Sequence, residues 1–523
     1  MHSVVFMPSG ARVSVPPGTS LLDACRRAGY PLPTPCGGRG LCGKCRVKML
    51  EGDVPADDRQ QSCLTRALLA EGWRAACIAS VQSDLVLEQP DANAGEVILT
   101  GYSAREARGV SNNDAHAVGL AVDIGTTTVV AALCSLATGS VLSVTARANP
   151  QSVHGDDVTS RLEYASRGER ETTEMQRLIV LALQELASEL CGGNTPQCMA
   201  VGCNTVMRRL LVGPSPETLF PASDIGWKGA NAPLVYVVPG IAPYVGGDIT
   251  AGILAHDIHR EKRTVLFLDI GTNGEIVLSR HGKLYTCAAA AGPAFEGARI
   301  TQGMRAMAGA IDRVTFENNT LNIGVVDKVK PARGICGTGI LDAVAAFLQS
   351  GLADSTGRLL DGNEVRKAAN RVSPKLISLV HADDDGQAVW LERPSGRGGA
   401  GVSVTQRDIR EFQLAKGAIA AGVAVLLDTA GVRPDRIDEV VLAGGFGTCL
   451  NPRSAIRVGL LPAGIGAEKV RSVGNASLAG TMVCLLSEQE RQEAETIVAM
   501  STYVELSGRD DFQRAFVEHM AFP

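Results

Sequence analysis

Two stretches of this chain repeat one design. "VGLAVDIGTTTVVAAL" spans residues 118–133 and "VLFLDIGTNGEIVL" spans residues 265–278. Each is an apolar strand, an Asp-Ile-Gly-Thr bend and a second apolar strand. The aspartates, Asp123 and Asp269, stand 146 residues apart. One such bend is a weak signal, because ordinary hairpins produce it. Two at domain-sized separation predict a duplicated α/β fold whose halves carry equivalent turns. Glycine at each bend lets backbone N–H groups approach an anion with no side chain between. Gly125, Thr126 and Thr127 would line the first turn, and Gly271, Thr272 and Asn273 the second. An aspartate at the strand end can hold Mg²⁺ through water, since Mg²⁺ sheds water reluctantly. Two such turns face to face would clamp the β- and γ-phosphates of a nucleotide.

Two further glycine motifs follow. "GICGTGILDAVAAFLQSG" places Gly337, Thr338 and Gly339 ahead of an apolar helix carrying Asp342. "IDEVVLAGGFGTCLNP" runs a buried strand, Val440 to Ala443, into a turn of Gly444, Gly445, Phe446 and Gly447. Bare backbone of this kind accepts a flat adenine or ribose. A helix over Thr405–Thr429 is expected, with "TQRD" as its start. Glu296 and Gly297 in "PAFEGARITQG" fit the lining of a cleft, a partner-facing surface, or simply a tight loop after a buried strand.

The front of the chain is different. "TPCGGRGLCGKCRV", residues 34–47, holds three cysteines and four glycines. With Cys77 downstream, Cys36, Cys42 and Cys45 give C-x5-C-x2-C and then a distant fourth cysteine. That is one residue off the plant-type ferredoxin spacing. Three ligands on one loop must wrap closely round an iron–sulfur core, and Gly37, Gly38, Gly40 and Gly43 permit it. A structural zinc site is the alternative, but zinc usually takes two paired knuckles, and only Cys42–Cys45 is so paired. Cys25 and Cys63 read as small apolar filler. A Ser20–Asp23 capping box, a strand in "CRVKMLEGDV" and another in "SDLVLEQP" complete a small β-grasp pattern.

Residues 1–90 hold ten Lys/Arg and eight Asp/Glu, so they lack the acidity of a freely diffusing carrier steered by charge. The whole chain carries −5 with no basic block, which argues against nucleic acid as a partner. The N-terminal residues "MHSVVFMPSGARVSV" read as a strand rather than a signal peptide. The most apolar window, near residue 420, contains Lys416 and Asp428 and is expected not to span a bilayer. Fourteen cysteines with no export signal fit a reducing cytoplasm.

Residues 1–90 resemble a 2Fe–2S ferredoxin domain. Residues 118 to about 485 resemble the ATPase shared by acetate and sugar kinases, Hsp70 chaperones and actin. The fold implied is an α+β β-grasp ferredoxin-like domain (1–90), a linker (91–117), and a duplicated α/β RNase H-like ATPase in two halves (118–264 and 265–523). The fused pair is similar to the reductive activators of corrinoid proteins. "AAAAGPAFEGARITQGMRAMAGAI", "PYVGGDITAGIL" and "DIREFQLAKGAIAAGVAVLL" extend that resemblance over nearly the whole chain. Cys203 stands where the family pattern leads one to expect glycine.

The resemblance implies ATP, Mg²⁺ and a 2Fe–2S cluster as cofactors. Asp123 and Asp269 would handle Mg²⁺ and the attacking water; Gly125, Thr126, Thr127, Gly271, Thr272 and Asn273 would hold phosphate. Gly337 and Thr338 would lie between the halves, and Gly444, Gly445 and Phe446 near adenosine. It further implies one-electron reduction of Co(II) to Co(I) on a corrinoid protein or methyltransferase, a low-potential electron donor and a homodimer, without nucleic acid or membrane. Alternatives are a small-molecule kinase with a regulatory cluster and a redox-sensing ATP-binding module.

Overall fold

A computed structural model describes residues 1–28, 30, 32, 45–52, 54–55, 57–64, 66–88, 117–155, 157–214, 217–228, 232–368, 374–383, 386–394 and 401–523. Cys36, Cys42, the glycines of the cysteine loop and the expected linker up to residue 116 lie outside the described residues.

The N-terminal stretch that reads as one strand is a hairpin. His2–Met7 pairs with Ala11–Val15, and the bend closes where the Gly10 N–H donates to the Phe6 carbonyl at 2.8 Å. Gly10 takes φ +71°, which a side chain resists. Leu85–Glu88 pairs parallel with His2–Met7, and Arg46–Glu51 and Trp73–Ala75 complete a five-stranded sheet. Alternation puts Val4, Phe6, Leu85 and Leu87 on the covered face, all essentially inaccessible to water. The helix Leu21–Arg27 covers them. Ser20 caps its start as expected: the Asp23 N–H donates to Ser20 Oγ at 3.1 Å, and Ser20 Oγ donates to Asp23 Oδ2 at 2.9 Å.

The duplication is visible in two six-stranded sheets that share the order of five strands and differ in the sixth, Leu219–Pro221 beside Leu234–Val237 in the first and Ser501–Tyr503 beside Lys283–Ala289 in the second. In the first, an antiparallel meander (Val118–Ile124, Thr128–Ser135, Val141–Ala148) is extended by Cys198–Cys203 and Leu234–Val237, both parallel to Val118–Ile124, and by Leu219–Pro221. In the second, the meander Val265–Ile270, Gly274–Arg280, Lys283–Ala289 is extended in the same sense by Glu439–Ala443 and Val470–Gly474. Asp123 and Asp269 occupy the same position, one residue before the end of the first meander strand. This is the duplicated fold that the repeat predicts, in the RNase H-like form that the resemblance implies.

One core joins the halves. The helices Gly247–Ala255 and Ala476–Leu486 lie between the sheets, and their side chains cluster with Ala121 of the first sheet and Phe267 and Ala443 of the second. The contact depends on small residues: a Cβ on Gly480 would stand 1.9 Å from the Ala251 carbonyl oxygen. Gly480→Val is therefore expected to cost about 3 kcal/mol or more, read as a fall in the urea midpoint. Wild-type stability in that variant would rule out this close approach.

Thr405 caps the helix Gln406–Ala430 through a capping box with Asp408, so the helix begins one residue after its expected start. This helix is long and apolar enough to cross a membrane by length and composition, yet most of it is buried inside the protein. Phe412, Ile419, Val423 and Leu426 face the second half's core, and a Cβ on Gly274 would meet Ile419 at 2.7 Å. Two readings of glycine motifs need correction. Gly337 and Gly339 lie inside the first turn of the helix Gly337–Ser350 instead of preceding it, and "GGFG" opens the short helix Gly444–Cys449 instead of a turn.

Candidate nucleotide cleft and cluster site

The aspartates of the two Asp-Ile-Gly-Thr bends and two further acids, Asp248 and Glu275, act on one another's charge. Asp123 is held from the opposite end of the chain: Ser477 Oγ donates to its Oδ1 at 2.7 Å and Asn475 Nδ2 to its Oδ2 at 2.8 Å. Asp269 faces Gly444, where φ is +81° and a Cβ would lie 2.5 Å from Asp269 Oδ1. Asp248 and Glu275 complete the group. Burial, followed by the charges of Asp269 and Asp123, pushes Asp248 up to about 7. Burial and then Asp123 push Asp269 up to about 7. Burial, then Asp248 and Asp269, hold Glu275 well above the usual carboxylate range. Asp123 is raised by burial against the opposing hydrogen bonds of Ser477 and Asn475. Carboxylates that raise one another's proton affinity form a site that a cation would relieve. Among the described residues, no three His, Cys, Asp or Glu side chains converge closely enough to ligate one ion directly. That fits a hydrated Mg²⁺ held through its waters.

Asp248 and Glu275 were not singled out from the sequence. The signal for Asp248 is an acid in the first turn of an otherwise apolar helix, behind two glycines. A Cβ on Gly247 would lie 2.1 Å from the Val238 carbonyl oxygen, and one on Gly246 2.5 Å from Asn204 Cα. Only bare backbone can bring Asp248 this far in.

The first bend is braced from behind. Asn149 Nδ2 donates to the Gly125 carbonyl at 2.8 Å, and the fully buried Arg161 donates to the carbonyls of Thr126 and Gly155. Asn204 Nδ2 reaches Thr126 Oγ1 at 3.2 Å. These contacts fix the orientation of the peptides at Gly125 and Thr126. Arg161 looks like a surface residue in sequence; only the fold shows that its side of the helix Val158–Ala165 is inside. In both bends the glycine amide closes the turn, Gly125 N–H to the Thr128 carbonyl and Gly271 N–H to the Asn273 carbonyl, each at 2.9 Å. The Asn273 side chain hydrogen-bonds Glu275.

On the far side, the ring of Phe446 stacks on Phe295 at 4.5 Å, and Phe295 packs edge-on against Phe412. Gly337 sits against them so closely that a Cβ would be 1.8 Å from the Phe295 carbonyl oxygen. Gly445 has nothing within 4 Å of its missing Cβ, so its backbone lies open. The Thr338 hydroxyl points inward and donates to the Asp312 carbonyl at 2.9 Å.

In the N-terminal domain the sheet reunites cysteines far apart in sequence. Arg46 pairs with Ala75, and the Ala76 N–H donates to the Cys45 carbonyl at 2.9 Å. Cys45 and Cys77 thus sit at the same end of one ladder, Cys45 buried and Cys77 half-buried. Gln60, also unremarked in sequence, makes a two-way amide pair with the backbone of Ala75 at 2.8 and 3.2 Å and fixes the approach to Cys77. Cys25 is buried, its thiol pushed up to about 12 by desolvation, as apolar filler should be. The described pair fits two thiolate ligands of a cluster; the positions of Cys36 and Cys42 lie outside the described residues.

The raised carboxylates fix the sign of a pH effect. The folded chain keeps protons on Asp248 and Asp269 up to about pH 7, whereas the unfolded chain releases them near pH 4. Their contribution to stability is full below about pH 4 and lost as pH rises towards 7. Nucleotide-free protein is expected to lose thermal stability across that window, less steeply in Asp248→Asn/Asp269→Asn, and to regain it with Mg²⁺ and nucleotide. Parallel melting curves for the two proteins would contradict this.

Three sequence patterns cover the chain: the C-terminal ASKHA domain of RACo at residues 263–523, the RACo middle region at 118–261, and a 2Fe-2S iron–sulfur cluster binding domain at 5–82. The chain is 32% identical over 430 residues to the corrinoid activation enzyme RamQ of Eubacterium limosum, covering 77% of this chain and 70% of that protein. It is 30% identical over 283 residues to the [Co(II) methylated amine-specific corrinoid protein] reductase of Methanosarcina barkeri, covering 50% of this chain and 46% of that protein. A solved reductive activator for a corrinoid, iron–sulfur protein superposes with a TM-score of 0.67 at 29% identity, covering 100% of this chain and 98% of that one.

Proposed function

We propose, from the premise that this chain belongs to the RACo family of corrinoid activators, that it restores Co(II) corrinoid proteins to Co(I) in an ATP-dependent reaction. The observation that carries the reading is the presence on one chain of a ferredoxin-type domain and a two-halved nucleotide cleft.

Cys36, Cys42, Cys45 and Cys77 would hold the 2Fe–2S cluster, which supplies a one-electron relay. Plant-type clusters sit near −400 mV, and each further 100 mV of deficit costs about 2.3 kcal/mol per electron. Reaching Co(I) is expected to be uphill, so binding energy elsewhere must shift the equilibrium. A ligand does this only by preferring one state over another. The cleft suits that task because its floor joins both halves: Asp123 of the first sheet is tied to Asn475 and Ser477, just after the strand Val470–Gly474 of the second. Asp123, Asp248, Asp269 and Glu275 would hold hydrated Mg²⁺, which neutralises phosphate charge. Gly125, Thr126, Thr127, Gly271, Thr272 and Asn273 would face the phosphates. Gly337, Gly444, Gly445 and Phe446 would flank the adenosine, with Thr338 contributing backbone alone. A low-potential donor reloads the chain, and a homodimer in the cytoplasm is the expected setting.

The test uses purified protein, a low-potential chemical reductant and a Co(II) corrinoid protein, followed by the Co(I) absorption band. Repeated Co(I) formation with ATP and a single incomplete round without it are expected. Full turnover without nucleotide would sink the coupling.

A further inference from the structure

Glu296 reaches both phosphate bends at once. Thr272 Oγ1 donates to its Oε1 at 2.7 Å, and Thr127 Oγ1 approaches its Oε2 at 3.5 Å. Its surroundings hold it there. It ends the one-turn helix Pro293–Glu296, bracketed by Gly292 and Gly297 at φ +74° and +75°. A Cβ on Gly297 would lie 2.7 Å from the Met304 amide nitrogen, and one on Gly303 2.0 Å from the Gly297 carbonyl oxygen, so the following loop is folded hard against itself. That loop is pinned where the Thr301 N–H and hydroxyl donate to buried Asp408 at 2.6 and 2.8 Å. The neighbour Phe295 carries the stack on Phe446.

The other carboxylates of the cleft are less suited to chemistry at the terminal phosphate. Asp123 is clamped at both oxygens by Ser477 and Asn475 at 2.7 and 2.8 Å, whereas Glu296 Oε2 has only the 3.5 Å approach of Thr127; Asp248, Asp269 and Glu275 share the charge-crowded floor. A terminal phosphate between the bends would take the threonine hydroxyls as donors. Two anions cannot share those donors in contact, because they repel. A water between them satisfies both sides: it donates a proton to the carboxylate and turns its lone pair to phosphorus.

We infer that Glu296 is the catalytic residue that orients and deprotonates the attacking water, an inference that rests on the ATP-hydrolysing reading above. The water oxygen bonds to the γ-phosphorus and the bond from that phosphorus to the β–γ bridging oxygen breaks. ADP leaves with that electron pair, and the water's proton passes to Glu296 and on to solvent.

The experiment compares full-length wild type, Glu296→Gln and Glu296→Asp for ATP affinity by calorimetry and for steady-state hydrolysis. The expected result is a fall in kcat of about 10²-fold or more in the amide variant, within the range for general-base removal, with ATP affinity retained. The shorter acid should recover part of that loss, since it keeps the base at a longer reach. A neutral side chain of the same shape that hydrolyses ATP at the wild-type rate overturns the assignment. So does a defect confined to affinity or KM, or an aspartate variant no better than the amide. A wild-type protein that neither binds nor hydrolyses ATP refutes the underlying function instead.

Discussion

Replacing Cys45 or Cys77 by serine is expected to abolish delivery of electrons to cobalt. An alcohol is a poor substitute for a thiolate at iron, and Cys45 and Cys77 stand at the same end of one ladder. The visible absorption and the EPR signal of the reduced protein should vanish with Co(I) formation. ATP should still bind, because the cleft is built from residues beyond 118. Measured iron content separates this from general unfolding. A serine variant that keeps iron and keeps reducing cobalt would show that the ligands lie elsewhere among the fourteen cysteines.

The second large effect belongs to the cleft floor. Asp269→Asn removes one charge from the group formed with Asp123, Asp248 and Glu275 and keeps its shape. Losing a preorganised charge at a developing phosphoryl transition state typically costs 10²–10³-fold in rate. ATP hydrolysis and repeated corrinoid reduction should fall together by about that factor, with the cluster spectrum unchanged. A single electron transfer from prereduced protein should persist. If hydrolysis collapses and cobalt is still reduced over many rounds, nucleotide and electron are not coupled.

The contrast between what sequence exposes and what it hides follows from distance along the chain. The bends at Asp123 and Asp269 were readable because strand, aspartate, glycine and hydroxyl donors lie within a few consecutive residues. The cysteine spacing was readable for the same reason. The helix caps at Ser20 and Thr405 were too: the Ser20 hydroxyl accepts from the Asp23 N–H, and Thr405 forms a full capping box with Asp408. Asp248, Arg161, Asn475 and Ser477 were not, because each matters only through a partner tens to hundreds of residues away. Asn475 looks like an ordinary helix cap and does cap its helix, with the Leu478 N–H donating to its Oδ1 at 2.8 Å. Its amide nitrogen has a second use that no local pattern announces. The glycines at 337 and 339 were placed ahead of their helix and those from 444 in a turn, since glycine's low helix propensity hides a helix start chosen for close approach.

Residue 475 is joined 352 positions after Asp123, the carboxylate it steadies. On a ribosome, which releases residues in order, the first bend must wait through nearly all of synthesis for the groups that orient its aspartate. The β-grasp domain closes on itself from contacts within the first 88 residues. The N-terminal domain can therefore fold on a nascent chain long before the groups that complete the cleft have been made.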